Sequence, residues 1–87
     1  MYPRQLVRLP WREIDGRSVV INPKRGEVHE FDEVGTFLWK NADGTRSVED
    51  IATALTTEFE VDLSSALADT KEFYSTLDAL GLIQCQS

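Results

Sequence analysis

His29 and Cys85 are the single histidine and the single cysteine of the chain. A catalytic dyad would set an imidazole beside a thiol or a serine hydroxyl, so that the ring takes the nucleophile's proton. No Gly-x-Ser-x-Gly elbow occurs, and Cys85 stands near the end of the sequence. The plainer readings are a half-exposed strand residue for His29 and a small apolar residue beside the last helix for Cys85. A zinc-type site needs further histidines or cysteines at short spacing. None is present, so neither a metal nor a cofactor is expected. Carboxylates are plentiful, and Glu27, Glu30, Asp32 and Glu33 crowd one strand end. General acid–base work needs a carboxyl with a raised pKa in a pocket, whereas each of these has a simpler role as edge charge, cap or first-turn acid. The five glycines form no phosphate-binding run. The expectation is a protein without catalysis. A small enzyme centred on Cys85 or His29 is the competing hypothesis, to be closed by unchanged function of Cys85→Ala and His29→Ala.

The elements that could position any site must fit within 87 residues and 9.8 kDa. That is one domain, residues 1–87, with a modest core. Such a domain hosts a binding groove more easily than a deep catalytic pocket. A hydrophobic fraction of 41% and a charged fraction of 28% are ordinary for a globular fold and argue against disorder. No run approaches a membrane span. Met1-Tyr2-Pro3-Arg4 opens no apolar stretch of signal-peptide type, and one cysteine gives no internal disulfide. A reducing cytoplasm is therefore expected.

Charge is unevenly distributed. Residues 1–26 carry six bases (Arg4, Arg8, Arg12, Arg17, Lys24, Arg25) and two acids, net +4, and residues 27–87 net −10, within a total of −6. An acidic block of that size opposes a phosphate backbone, so no nucleic-acid partner is expected. The basic first third reads as a solvated surface or as a meeting place for an acidic partner.

The order of elements is strands first, helices after. Residues 11–15 alternate imperfectly and end in a turn at Gly16-Arg17. Ser18–Asn22 is a compact β-branched run and the clearest strand. Asn22-Pro23-Lys24-Arg25-Gly26 is a turn, and Glu27–Phe31 follows at strand length. Short connections favour an antiparallel meander with 27–31 at an edge. Asp32 caps a short helix over 33–41 with Val34, Phe37 and Leu38 on one face. Ser47 opens a second helix whose Val48, Ile51, Ala52, Leu55 and Phe59 form an amphipathic stripe. Val61–Ser64 is a link and a new cap. The last helix, about 64–80, has Ala66, Leu67, Phe73, Tyr74, Leu77 and Leu80 as its stripe, and Gly81 ends it. Trp39, Phe37, Phe59 and Phe73 are core candidates, and Gly35 inside the first helix allows close packing. The fold class is α+β and winged-helix-like: a three-stranded antiparallel sheet followed by three helices.

An edge strand is either protected or used for docking. Glu27 and Glu30 discourage self-pairing, although an open edge is also able to form a homodimer. An extended peptide could add there as a further strand through main-chain hydrogen bonds. Tyr74 lies on the last helix with Leu67 and Lys71 at i, i+4 and i+7, and is either a groove wall or a core tyrosine.

The ordered set Val19-Val20-Ile21-Asn22-Pro23, Gly26-Glu27-Val28-His29-Glu30-Phe31-Asp32, Gly35-Thr36, Leu38-Trp39, Asp43-Gly44-Thr45-Arg46-Ser47-Val48-Glu49-Asp50-Ile51, Phe59-Glu60-Val61-Asp62, Asp69, Phe73, Leu77 and Leu80-Gly81-Leu82-Ile83 resembles the PqqD family over about residues 11–83. The resemblance implies a peptide recognition element of ribosomally made, modified peptides. It would bind the leader segment of a precursor peptide and present it to a modifying enzyme such as a radical-SAM protein, a protease or a cyclase. The leader would lie along the third strand, Glu27, Val28, His29, Glu30 and Phe31, and against the last helix at Leu67, Thr70, Lys71 and Tyr74. Phe31-Asp32 stands where the family often has Leu-Asn, and Thr70 where an apolar residue is usual. A winged-helix DNA-binding regulator is the alternative, weakened by Asp69, Glu72 and Asp78 on the last helix.

Overall fold

The computed structural model describes residues 1–6 and 9–86. Arg8 of the basic first third lies outside the described residues. The elements run β1 (Tyr2–Gln5), β2 (Trp11–Ile14), β3 (Arg17–Asn22), β4 (Glu27–Phe31), α1 (Glu33–Lys40), α2 (Val48–Phe59), α3 (Leu63–Ala79) and β5 (Ile83–Gln86). β2, β3 and β4 form the expected antiparallel meander with β3 central and β4 at an edge. The three helices follow, giving the α+β, winged-helix-like arrangement.

Local chemistry explains the boundaries. Asp15 (φ 53) and Gly16 (φ 80) are both left-handed, the geometry of a two-residue hairpin turn between the paired Ile14 and Arg17. The turn is therefore Asp15-Gly16, and Arg17 begins β3 instead of completing the turn. Asp32 Oδ1 accepts from the Gly35 amide at 2.8 Å and caps α1, and Ser47 Oγ accepts from the Asp50 amide at 3.0 Å and caps α2. The cap of α3 is Asp62, whose Oδ2 accepts from the Ser65 amide at 3.0 Å, so α3 starts before Ser64. It ends in a Schellman motif: the Leu82 amide donates to the Leu77 carbonyl at 2.9 Å, the Gly81 amide to that of Asp78 at 3.1 Å, and Gly81 takes φ 76.

Two strands lie outside the sequence-based expectation. β1 and β5 pair antiparallel, Tyr2 with Gln86 through Gln5 with Ile83, in a sheet of their own. Four further backbone bonds tie β1 and its flanks inward. The Gln5 amide donates to Ala42, Leu6 to Leu82, Gly44 to Pro3 and Val48 to Met1.

The core is formed by Val20, Leu38, Trp39, Val48, Ile51, Leu55, Ala66, Tyr74, Leu77 and Leu82, with Phe31, Phe37, Phe59 and Phe73 partly buried around it. Trp39 is its centre, meeting Trp11 edge-on at 6.1 Å and Phe31 at 5.9 Å between centroids. Gly35 is buried in α1, and a Cβ there would lie 3.0 Å from Phe31 Cβ and 3.3 Å from Phe73 Cε1. A bare backbone at that point lets α1 close on the end of β4.

Candidate functional site: the edge of the meander and the flank of the last helix

The direction of the β4 main chain follows from the pairing. The Ile21 amide donates to Pro10 on the β2 side of β3. In an antiparallel ladder successive residues turn their polar groups to opposite sides. Val20 and Asn22 thus serve β4, where their partners are His29 and Glu27. It follows that Val28 and Glu30 aim their N–H and C=O groups away from the sheet. Among the described residues no strand pairs with that side of β4. The side chains alternate accordingly: Val28, at 62% exposure, and Glu30 stand in solvent, whereas Glu27, His29 and Phe31 are half-buried.

Phe31 and Phe73 meet at 5.3 Å and join β4 to α3 at one end. At the other end the Arg25 guanidinium donates to the Leu80 carbonyl at 3.0 Å, which fastens the β3–β4 turn to the C-terminus of α3. Glu27 sits between Arg25 (3.5 Å) and His29 (3.4 Å). Beside the Phe31–Phe73 pair lies a cavity of about 470 Å³, lined by Val34, Gly35, Leu38, Phe31 and Phe73 and rimmed by Arg17, Glu30, Asp32 and Asp69. The arrangement offers unpaired main-chain groups, an apolar hollow next to them and a charged rim. It is equipped to hold an extended chain.

The expected strand residues Glu27–Phe31 stand together at this edge. The expected helix residues do not. Ala66, Thr70, Tyr74 and Leu77 form the buried stripe of α3. Thr70 is 0% and Tyr74 1% exposed, so neither side chain is a groove wall. The Tyr74 hydroxyl donates to the Leu38 carbonyl at 2.6 Å. That carbonyl falls in the last turn of α1, where intrahelical donors run out. Burial, with the Asp43 and Cys85 charges adding, raises the Tyr74 phenol well above its ordinary range. Lys71 lies on the far side of the stripe, by a second cavity lined by Met1, Val48, Glu49, Ser75, Asp78 and Cys85. Leu67 is half-buried on that same flank, a little more than a quarter turn from Ala66. The flank beside β4 instead carries Asp69 and Phe73. Their i, i+4 spacing is a signal the sequence held, and Phe73 passes in sequence for an ordinary core residue.

His29 and Cys85 are in different sheets. Burial, with the Asp78 charge adding and the N-terminal ammonium opposing, pushes the Cys85 thiol up. A raised pKa is the wrong direction for a nucleophilic thiolate. Among the described residues no group of three or more His, Cys, Asp or Glu side chains is placed to hold a metal ion, and no helix is long and apolar enough to cross a membrane.

Known proteins share this construction. The structure superposes with TM-score 0.85 on TbiB1 in complex with the TbiA(beta) leader peptide, at 21% identity and covering 97% of this chain and 98% of that one. It superposes with TM-score 0.84 on a lasso peptide synthetase B1 complexed with the leader peptide, at 20% identity, 98% and 100% coverage. The match to the PqqD truncation of Methylobacterium extorquens PqqCD, a stand-alone recognition element for ribosomally synthesized and post-translationally modified peptides, has TM-score 0.77 at 20% identity, with 95% and 88% covered. At those identities the likeness establishes the fold. In sequence, the chain is 35% identical over 78 residues to a PqqA binding protein of Xanthomonas oryzae pv. oryzae and 33% identical to one of Xanthomonas campestris pv. campestris, each covering 90% of this chain and 83% of the relative. Residues 17–83 match the family model of coenzyme PQQ synthesis protein D, and with those relatives they show that the chain belongs to the PqqD family.

Proposed function

We propose that this protein is a non-catalytic adaptor that captures the leader segment of a precursor peptide as an added strand on β4 and presents it to a modifying enzyme. The observation that carries the reading is the outward main chain of Val28 and Glu30 beside the Phe31–Phe73 cavity. Each added strand gains main-chain hydrogen bonds, and alternate side chains of the guest meet the hollow. The relatives named for PqqA binding and the folds described with leader peptides support the same reading. The contact set is the β4 stretch Glu27–Phe31 together with Phe73 and Asp69 of α3. The modifying enzyme is of the radical-SAM, protease or cyclase kind, working in a reducing cytoplasm. Glu27 and Glu30 on the open edge weigh against a homodimer through β4, because two copies would bring acids together.

The test is an NMR titration with the leader segment of the cognate precursor peptide. Amide shifts concentrated on residues 27–31 and on the Asp69–Phe73 flank are expected. A leader that binds with no shifts there overturns the assignment.

A further inference from the structure

The groove has a charge pattern that its apolar lining does not require. Glu30 on the strand bank and Asp69 on the helix bank face the hollow and are exposed. Neither forms an ion pair among the described residues, where the pairs found are Arg25–Glu27 and Lys40–Glu13. Asp32 adds a third carboxylate, one oxygen of which accepts from Gly35, against the single base Arg17 on that rim. Both banks belong to residues 27–87, the segment of net −10. On the rim itself three carboxylates face the one guanidinium of Arg17, an excess that would draw cations toward it.

We propose that the groove is selective for a cationic guest: an extended segment whose apolar side chain enters the Phe31–Phe73 hollow and whose neighbouring Lys or Arg is received by Asp69 and Glu30. This rests on the docking reading above and adds the chemical class of the guest. A second copy of the chain is a poor occupant, because its β4 would bring Glu27 and Glu30 to an acidic rim. An acidic guest meets repulsion from both banks. The two carboxylates are solvent-exposed, so the preference is moderate and falls with salt.

Selection of a random peptide display library on the intact protein tests this with no guest sequence chosen in advance. It is run in parallel on Asp69→Lys, Glu30→Lys and Glu58→Lys. Glu58 is exposed and lines a different cavity, with Glu13, Glu33 and Phe59, and its substitution changes net charge as much as either groove variant does. Enriched peptides should carry Lys or Arg beside an apolar residue on the wild type and on Glu58→Lys, and should lose that signature on Asp69→Lys and Glu30→Lys. Replacing the enriched Lys by Glu should weaken binding about tenfold at low salt, and less at high salt. Peptides that shift the amides of residues 27–31 yet are neutral or acidic would overturn the charge selectivity and leave the docking reading standing. The same follows from a signature that disappears equally on Glu58→Lys. Enriched peptides that shift none of those amides would overturn both.

Discussion

Val28 holds its amide and carbonyl on the side of β4 turned from β3, so a proline there removes a donor the fold does not use. Proline is tolerated at such edge positions. Val28→Pro should remain folded, with a melting temperature close to wild type, and should bind a leader about three- to tenfold more weakly, the worth of one net hydrogen bond. Calorimetric titration beside a thermal melt measures both. Tyr74→Phe should do the reverse. It leaves the Leu38 carbonyl without its donor and should lower stability by about 1–2 kcal/mol in urea, while leader affinity stays within about twofold because the ring is buried behind Phe73 and does not itself line the cavity. Among the described residues Thr70 Oγ1 is buried without a hydrogen-bond partner. Thr70→Val keeps the shape and removes the orphan hydroxyl, and should raise stability by up to about 1 kcal/mol in the same urea experiment. That residue's place within the stripe also explains why an apolar side chain suits the position.

At the scale of elements, β4 is tied to α3 at its two ends and to β3 along its length. Phe31 on Phe73 and Arg25 on the Leu80 carbonyl hold it to α3, and on its outer side the main chain of Val28 and Glu30 stays available. The placing of α3 depends on its first turn. Accepting from the Ser65 amide and hydroxyl holds the Asp62 carboxyl below its ordinary value of 3.8. The folded state thus binds fewer protons than the unfolded one near that pH. The contribution of the cap is complete above the ordinary value and is lost as pH falls through the lowered one. Asp62→Asn retains an acceptor but no titration, so its melting temperature should fall less steeply than wild type between about pH 5 and pH 2. Equal slopes for the two proteins would assign the acid sensitivity elsewhere.

Across the whole molecule, the pairing of β1 with β5 clasps the first and last described elements over the end of the helical layer. Leu82, just before β5, and Ile83, its first residue, are 0% and 3% exposed. Deletion of residues 1–5 would strip the β5 ladder and the backbone bonds made with Ala42, Gly44 and Val48. It should destabilise the fold by roughly 3 kcal/mol or more in urea. The β4 edge lies in the other sheet. Any leader binding that survives in the folded fraction should therefore keep the same amide-shift pattern.

The meander strands, the capped helices and the family are all legible in the residues alone. These rest on signals within a few residues: β-branched runs, Pro23 and Gly26 around a turn, Asp32 and Ser47 before apolar periodicity, Gly81 after it. β4 is legible for that reason. The rotation of α3, by contrast, is fixed by packing. Ala66, Leu67, Thr70, Lys71, Phe73 and Tyr74 contain apolar positions on more than one flank, and the 3.6-residue period cannot say which flank meets β4 until α1, α2 and the Phe31 ring occupy theirs. Packing placed Thr70 and Tyr74 inward and set Asp69 and Phe73 on the flank beside β4. β1 and β5 were likewise settled by long-range pairing, since each is four residues long and gains its strand form from a partner at the other end of the chain.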